Sequence, residues 1–167
     1  MQITVIGTGY VGLVGGACLA EIGHQVTCVD KDAKKVQTLL DGGLPIYEPG
    51  LDEVVPQNVA AGRLHFTTDL QSAVRSAEAV YIAVGTPPGA DGGADLTAVE
   101  AVAAGIADAI ERYTVVIVKS TVPVGTCDRV RDIIASRTQT DFDVVSNPEF
   151  LREGVAVPDF LDPDRIV

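Results

Sequence analysis

The segment Ile3-Thr-Val-Ile-Gly-Thr-Gly-Tyr-Val-Gly12 predicts how this chain begins to fold. Its first four residues are apolar or β-branched, as in a buried strand, and the pattern then becomes helical, which predicts a helix over residues 10–22. The three glycines therefore lie where a strand turns into a helix. Gly7 permits the tight turn, Gly9 leaves the backbone open to a ligand, and Gly12 lets the helix pack closely on the strand.

A turn of this kind binds the pyrophosphate of a dinucleotide, because the start of the helix offers free N–H groups and the positive end of its dipole. The next predicted strand, residues 25–29, is followed by Asp30. Its carboxylate is expected to accept hydrogen bonds from the adenosine ribose and to repel a 2′-phosphate, so the predicted cofactor is NAD rather than NADP. Lys31, next to Asp30, leaves NADP open as the cofactor, since a basic side chain can accommodate its 2′-phosphate. Lys35 either helps to neutralise the cofactor or is a solvated helix lysine.

The composition limits the class of protein. A chain of 167 residues with 47% apolar residues is long and apolar enough for about one globular domain. Its net charge of -11 argues against a nucleic acid or an anionic membrane as partner, because both require a basic surface. No apolar run of membrane-spanning length and no signal peptide is found, and the three cysteines lack metal-binding spacing, which predicts a cytoplasmic protein without a metal site.

The remaining sequence alternates between strand and helix patterns. Strands are predicted at residues 3–6, 25–29, 63–67, 79–84, 114–118 and 142–145. Helices are predicted at residues 10–22, 32–40, 51–61, from 69 or 72, from 95 or 97 to 112, and 127–136. This order favours an α/β fold of the Rossmann type: a doubly wound, mainly parallel six-stranded sheet with helices on both faces.

Two loops follow predicted strands of this sheet. Residues 85–95 include Gly85 and Thr86, and residues 119–126 include Thr121. Ligands of doubly wound sheets bind outside the carboxyl ends of the strands, so these hydroxyl-bearing loops are candidates for cofactor contacts. A third, proline-punctuated loop at residues 44–51 is either a plain surface connection or a binding loop.

A pair of carboxylates follows the last predicted strand. Asn147 and Pro148 are typical of a helix start, which predicts one helical turn over residues 149–153 with Glu149 and Glu153 on one face. Arg152 is then placed to pair with Glu149. One interpretation is that the two acids lie there because the dipole at a helix start stabilises negative charge. The other is that they have a chemical role: they hold substrate hydroxyls or a water and exchange protons.

Five motifs together resemble the nucleotide-sugar dehydrogenases, the family that includes the UDP-glucose and GDP-mannose dehydrogenases. They are Ile6-Gly-Thr-Gly-Tyr-Val-Gly-Leu13, Pro45-Ile-Tyr-Glu-Pro-Gly-Leu51, Val84-Gly-Thr-Pro87, Ser120-Thr-Val-Pro-Val-Gly125 and Asn147-Pro-Glu-Phe-Leu-Arg-Glu-Gly154. The resemblance implies oxidation of the 6-hydroxyl of a nucleotide sugar to the carboxylate, in two NAD-dependent steps through a cysteine-bound thioester. UDP-glucose is the favoured substrate, and GDP-mannose is the alternative.

The resemblance also implies roles for individual residues. It assigns NAD contacts to Gly7, Gly9, Tyr10, Val11, Gly12, Asp30, Lys35, Gly85, Thr86, Thr121 and Glu153. It assigns the nucleotide sugar to Glu149, Phe150, Leu151, Arg152 and Glu153. Thr121 would position the catalytic water, Glu149 would transfer protons around thioester hydrolysis, and Glu153 would lie between substrate and cofactor.

The family's nucleophilic cysteine, its oxyanion-stabilising lysine and asparagine, and its dimer-forming helix belong to a later part of the polypeptide. None of Cys18, Cys28 and Cys127 lies in a matching motif. Residues 164–167 look like the start of another strand. We therefore expect residues 1–167 to be one NAD-binding domain of a longer, homodimeric enzyme, able to bind NAD but unable to turn over alone.

Two other interpretations stay open. A non-catalytic Rossmann sensor module accounts for the glycine turn and Asp30 but leaves Glu149 and Glu153 without a role. A β-hydroxyacid dehydrogenase shares the fold of the amino-terminal half, but the motifs at residues 45–51 and 147–154 argue against it.

Overall fold

The computed structural model describes residues 1–89 and 92–167, so Ala90 and Asp91 of the predicted 85–95 loop lie outside the described residues. The strands are β1 (Gln2–Ile6), β2 (Gln25–Val29), β3 (Leu64–Thr67), β4 (Ala79–Ile82), β5 (Thr114–Val118) and β6 (Phe142–Ser146). The helices are α1 (Tyr10–Glu21), α2 (Ala33–Leu40), α3 (Leu51–Ala60), α4 (Leu70–Ser76), α5 (Thr97–Ala107), α6 (Thr126–Ala135) and α7 (Ala156–Leu161).

The strands form one six-stranded sheet in the order β3-β2-β1-β4-β5-β6, and every neighbouring pair is parallel. This is the doubly wound order in which successive strands are added outward from β1 in one direction and then from β4 in the other. The predicted fold class is confirmed. The order reverses between β1 and β4, which opens a crevice at the carboxyl ends of these two strands.

The hydrophobic core lies on both faces of the sheet, as expected for a parallel sheet covered by helices. One cluster contains residues of α1, α2, α3 and α7, including the fully buried Leu13 and Leu51. The other contains residues of α4, α5 and α6, including the fully buried Ile106 and Ile134. Ile6, Ile82 and Val118, at the carboxyl ends of β1, β4 and β5, are buried in this second cluster, which anchors the start of each following loop to the core.

The predicted helical turn at residues 149–153 is wrong, because residues 147–152 form neither helix nor strand and the next helix, α7, begins at Ala156. Asn147 is not a cap: its backbone N–H donates to the Val118 carbonyl and so continues the pairing beyond β6. The Glu149 carboxylate instead accepts the N–H of Leu151 at 2.6 Å. Arg152 pairs with Asp159 of α7 at 2.6 Å rather than with Glu149.

Smaller differences concern the ends of elements. Helix α5 ends at Ala107 instead of residue 112, and just beyond its end Asp108 makes an ion pair of 2.9 Å with Arg137. Strand β4 ends at Ile82, two residues early, and residues 164–167 form no strand. Asp32 and Asp69 cap α2 and α4 by accepting backbone N–H groups of their first turns.

Candidate functional site

The glycine turn between β1 and α1 contains two kinds of glycine. A Cβ on Gly7, whose φ is +106°, would lie 2.5 Å from the Ala83 carbonyl oxygen, and a Cβ on Gly12 would collide with the carbonyl of Gly7. These two glycines are therefore required by contacts within the protein. No heavy atom lies within 4 Å of the position of a Cβ on Gly9, so its free side faces open space.

A cavity of about 210 Å³ lies beside this turn, between the start of α1 and the loops that follow β4 and β5. Its lining comprises Gly9, Tyr10, Val11, Ala83, Val84, Gly85, Thr86, Ser120 and Thr121. The Thr86 hydroxyl donates to the Thr121 carbonyl at 2.8 Å, and the Ser120 hydroxyl donates to the Val84 carbonyl at 2.6 Å. These bonds fix the two loops against each other. Six of the predicted cofactor residues thus meet at the switch in strand order.

Asp30 lies at the carboxyl end of β2, on the adenosine side expected for this fold. Its carboxylate accepts the N–H and hydroxyl of Thr8 at 2.8 and 2.7 Å, and the N–H of Asp32 at 3.0 Å. Burial alone would raise the pKa of Asp30, but these hydrogen bonds and Lys35, 4.0 Å away, hold that pKa below its ordinary value. Asp30 is therefore an ionised acceptor at neutral pH.

A larger cavity of about 760 Å³ lies beyond the carboxyl ends of β5 and β6. Its lining includes Lys119, Asn147, Glu149, Phe150, Leu151 and Arg152. Four of the five residues assigned to the nucleotide sugar therefore share one cavity. The fifth, Glu153, is exposed in the following turn and is not among the residues that line either cavity of the described structure. Its charge is nevertheless close enough to raise the pKa of Tyr10.

Lys119 was not among the predicted site residues, although it directly follows the buried strand β5. It is 8% exposed, and its Nζ lies 3.2 Å from Oδ1 of Asn147. Burial lowers the pKa of Lys119, and the nearby Glu149 opposes this. A lysine directly after an apolar strand that ends at a ligand crevice was the available signal in the sequence.

Glu48, in the proline-punctuated loop before α3, was also missed. It is 2% exposed, and its carboxylate accepts from the Tyr10 hydroxyl at 2.6 Å and from the N–H groups of Gly154 and Ala156, both at 2.8 Å. Burial would raise the pKa of Glu48, but these three donors hold it below its ordinary value. The pKa of Tyr10 is raised, most strongly by burial, then by the hydrogen bond to Glu48 and the charges of Glu48 and Glu153.

Arg152 is held by α7 in the described structure. Its backbone N–H and its Nε both donate to Oδ2 of Asp159 at 3.0 Å, and its NH2 group donates to Oδ1 at 2.6 Å. The carboxylate raises the pKa of Arg152. The guanidinium is thus oriented at the rim of the larger cavity, where it is 75% exposed.

The two buried cysteines do not offer an activated nucleophile. Cys18 and Cys28 are buried, and burial raises the pKa of each thiol to about 12. Cys127 is half-buried on α6. Among residues 1–89 and 92–167, no group of three or more His, Cys, Asp or Glu side chains is placed to hold a metal ion. No helix of the same residues is long and apolar enough to cross a membrane.

The residues present fit a dinucleotide. The open side of Gly9 leaves room for a pyrophosphate against the start of α1, which carries no side-chain cap, and the ionised Asp30 stands at the end of the neighbouring strand. Together with the strand order, this arrangement is that of a Rossmann-type dinucleotide-binding protein.

Comparison with known proteins identifies the family. A sequence profile of the UDP-glucose/GDP-mannose dehydrogenase family, NAD binding domain, matches residues 1–167. The chain belongs to this family. The resemblance seen in the five motifs and the predicted cofactor, NAD, are both confirmed.

Individual relatives are similar over the whole chain. The UDP-glucose 6-dehydrogenase of Rhizobium meliloti (strain 1021) is 57% identical over 100% of this chain and 39% of its own length. The UDP-glucose dehydrogenase structure from Pyrobaculum islandicum gives a TM-score of 0.95 at 45% identity, over 98% of this chain and 39% of that one. A ternary complex of GDP-mannose dehydrogenase from Pseudomonas aeruginosa gives a TM-score of 0.91 at 40% identity, over 96% of this chain and 38% of that one. The chain therefore spans about two fifths of these relatives.

Proposed function

We propose that this chain holds NAD in the crevice beside Gly9 and is the NAD-binding part of an enzyme that oxidises the 6-hydroxyl of UDP-glucose to the carboxylate in two NAD-dependent steps. The observation that carries the proposal is the cavity at the switch in strand order, with six of the predicted cofactor residues in its lining. The names of the similar dehydrogenases supply the substrate.

Each part of the crevice has a binding task in this proposal. The start of α1 holds the pyrophosphate, and Asp30 accepts hydrogen bonds from the adenosine ribose, with Lys35 nearby to balance charge. Gly85, Thr86 and Thr121 border the nicotinamide end of the crevice. When bound, NAD supplies the hydride acceptor for the oxidation. Gly7 and Gly12 act through the shape of the turn itself.

The larger cavity is the proposed place of the nucleotide sugar. Phe150, Leu151 and Arg152 line it, and Glu149 there is placed to exchange a proton with a water or a sugar hydroxyl. Lys119 lines the same cavity as Glu149, and its ammonium group is close enough to interact with the Glu149 charge. Thr121 positions the water from the cofactor side, and Glu153 lies near Tyr10, between the two ligands.

The rest of the proposal concerns the larger protein. Residues 1–167 form a single domain, and the cysteine nucleophile belongs to another part of the enzyme. Neither buried thiol of this chain is ionised at neutral pH, and Cys127 on α6 lines neither cavity of the described structure. We place the enzyme in the cytoplasm as a homodimer. The net charge of -11 gives no support for a nucleic acid or an anionic membrane as a partner.

GDP-mannose is the second candidate substrate, because the structural likeness to GDP-mannose dehydrogenase is nearly as high, with a TM-score of 0.91. The identities favour UDP-glucose: 57% and 45% for the two UDP-glucose enzymes, against 40% for the GDP-mannose enzyme.

The test is a titration of the isotope-labelled chain with NAD, followed by amide NMR. We expect chemical-shift changes at residues 9–12, 86 and 121. We expect none at Asp108, which follows the end of α5 and therefore lies toward the amino-terminal ends of the strands, away from the cavity. Adding UDP-glucose and NAD to the same chain should form no NADH. Shifts confined to other regions would contradict the placement of NAD. Formation of two NADH per sugar, with the carboxylate as product, would contradict the assignment of the nucleophile to another part of the enzyme.

A further inference from the structure

Glu48 is a buried carboxylate that the proposed chemistry does not use. It is 2% exposed and lies in the loop before α3, between Pro45 and Pro49. A buried charge is costly unless it is fully hydrogen-bonded, so its partners show what the side chain holds together.

Those partners come from two segments that are far apart in the sequence. The Tyr10 hydroxyl and the Gly154 N–H both donate to Oε2, at 2.6 and 2.8 Å, and the Ala156 N–H donates to Oε1 at 2.8 Å. The Tyr10 hydroxyl also lies 3.3 Å from the Arg152 carbonyl. One carboxylate therefore joins the first residue of α1 to the turn that includes Glu153.

Both segments carry residues of the proposed site, whereas Glu48 itself lines neither cavity of the described structure. Tyr10 lines the smaller cavity, next to Gly9. Arg152 lines the larger cavity, and Glu153 lies close enough to Tyr10 to act on its pKa. The connection thus runs from the cofactor crevice to the segment assigned to the sugar.

We infer that Glu48 is a positioning residue that couples cofactor contact at Tyr10 to the placement of residues 152–156. The inference rests on the proposed function, because it takes the cavity beside Tyr10 to be the NAD site. NAD that packs against Tyr10 restrains its hydroxyl, Glu48 is restrained with it, and the N–H groups of Gly154 and Ala156 are held more firmly.

The carboxylate is suited to this task. Its two oxygens receive three donors, and the charge strengthens each hydrogen bond. Glutamine in its place has one acceptor oxygen and a donor group, so at least one backbone N–H loses its partner. The 44–51 loop therefore has a function in the site: it delivers an acceptor that neither linked segment provides.

The test compares the wild-type chain with Glu48→Gln, and with Glu53→Gln as a matched control, since Glu53 is exposed on α3. Amide hydrogen exchange is measured without NAD and with NAD at a concentration that saturates each protein. We expect NAD to slow exchange at Gly154 and Ala156 at least about fivefold in the wild type and in the control, and less than about twofold in Glu48→Gln.

Tyr10→Phe is the second variant, because it removes only the hydroxyl that donates to Glu48 and tests the same link if Glu48→Gln does not fold. It should also lose the NAD-dependent slowing. If Glu48 had a purely structural role, each variant would raise the exchange rates of Gly154 and Ala156 by the same factor with and without NAD. The inference is overturned if NAD binds the wild type without slowing these amides, or if either variant keeps the full effect. A wild-type chain that binds no NAD would overturn the proposed function itself.

Discussion

Gly9 and Gly12 lie in the same turn but differ in what a methyl group would meet. At Gly9 a Cβ has no heavy atom within 4 Å and the backbone is extended, whereas at Gly12 it would collide with the carbonyl of Gly7. The fingerprint therefore combines a glycine whose open side suits the proposed ligand, Gly9, with one required by the fold, Gly12.

This difference gives the first prediction. Gly12→Ala should lower the free energy of unfolding by about 3 kcal/mol or more, because backbone atoms must move. Gly9→Ala should change it by less than about 1 kcal/mol yet weaken NAD binding about 10- to 100-fold, since its methyl group fills the approach of the pyrophosphate. Urea denaturation and calorimetry measure the two effects. Equal loss of stability in both variants would contradict the distinction.

Asp30 carries the second prediction. Asp30→Asn should weaken NAD binding about 10-fold or more, because a charged acceptor for the ribose is lost. It should also reduce the preference for NAD over NADP, because a 2′-phosphate is no longer repelled. Asp52→Asn, an exposed acid on α3, is the matched control. Unchanged discrimination in titrations with both cofactors would show that Asp30 does not face the ribose.

The same residue predicts a pH dependence. The pKa of Asp30 is held below its ordinary value of 3.8, so the unfolded chain takes up this proton first as the pH falls. The contribution of Asp30 to stability should be fully present above pH 3.8 and be lost below it, as the pH falls through the lowered pKa. Acid unfolding of the wild type and Asp30→Asn checks this, and parallel profiles would contradict it.

At the scale of elements, α2 is positioned by its cap. Asp32 accepts the N–H groups of Lys34 and Lys35, which starts the helix two residues after Asp30 and brings the Lys35 Nζ to 4.0 Å from the Asp30 carboxylate. The element therefore sets the charge balance beside the predicted ribose site.

Asp32→Ala should lower the free energy of unfolding by about 1 kcal/mol, the usual cost of losing an N-cap. It should also weaken NAD binding slightly, about two- to fivefold, because Lys35 loses its fixed position. Asp41→Ala, at the other end of α2, is the control for the loss of a charge. A loss of stability in the control as large as in Asp32→Ala would mean that charge, and not capping, is responsible.

Sequence patterns predicted the elements best where one local rule decided them. The run before Gly7 and the apolar strand that begins at Ala79 both follow from short-range chemistry. The segment after Asn147 does not. Glu149 and Asp159 accept the N–H groups of Leu151 and Arg152, and Glu48, from a distant loop, accepts those of Gly154 and Ala156. A local rule for helix starts cannot detect acceptors that are more than a hundred residues away.

The cofactor residues of the candidate site were easier to predict than their surroundings. The glycine turn and Asp30 have a spacing set by the strand-turn-helix geometry itself. The buried states of Lys119 and Glu48 depend on which loops the sheet order brings together, and the order β3-β2-β1-β4-β5-β6 becomes visible only in three dimensions. Their sequence signal was position alone, directly after a strand and inside a proline-rich loop.

At the scale of the whole molecule, ligand binding and folding are linked. The proposed NAD crevice is formed by β1, α1, β4 and β5 and exists only in the folded chain. NAD at 100 times its dissociation constant should therefore stabilise the protein by about 2.7 kcal/mol and raise Tm by roughly 5–10 °C for a chain of this length. NADP at the same concentration should raise Tm less. An equal shift with both cofactors would contradict the role given to Asp30.

The most direct test of the central claim is calorimetric titration of NAD into the folded wild-type chain and into Gly9→Ala. We predict saturable binding of one NAD per wild-type chain, with a micromolar to millimolar dissociation constant, and binding at least about tenfold weaker to the variant. Absence of saturable binding to the wild type, or equal affinity in the two proteins, would contradict the claim that this turn holds the cofactor.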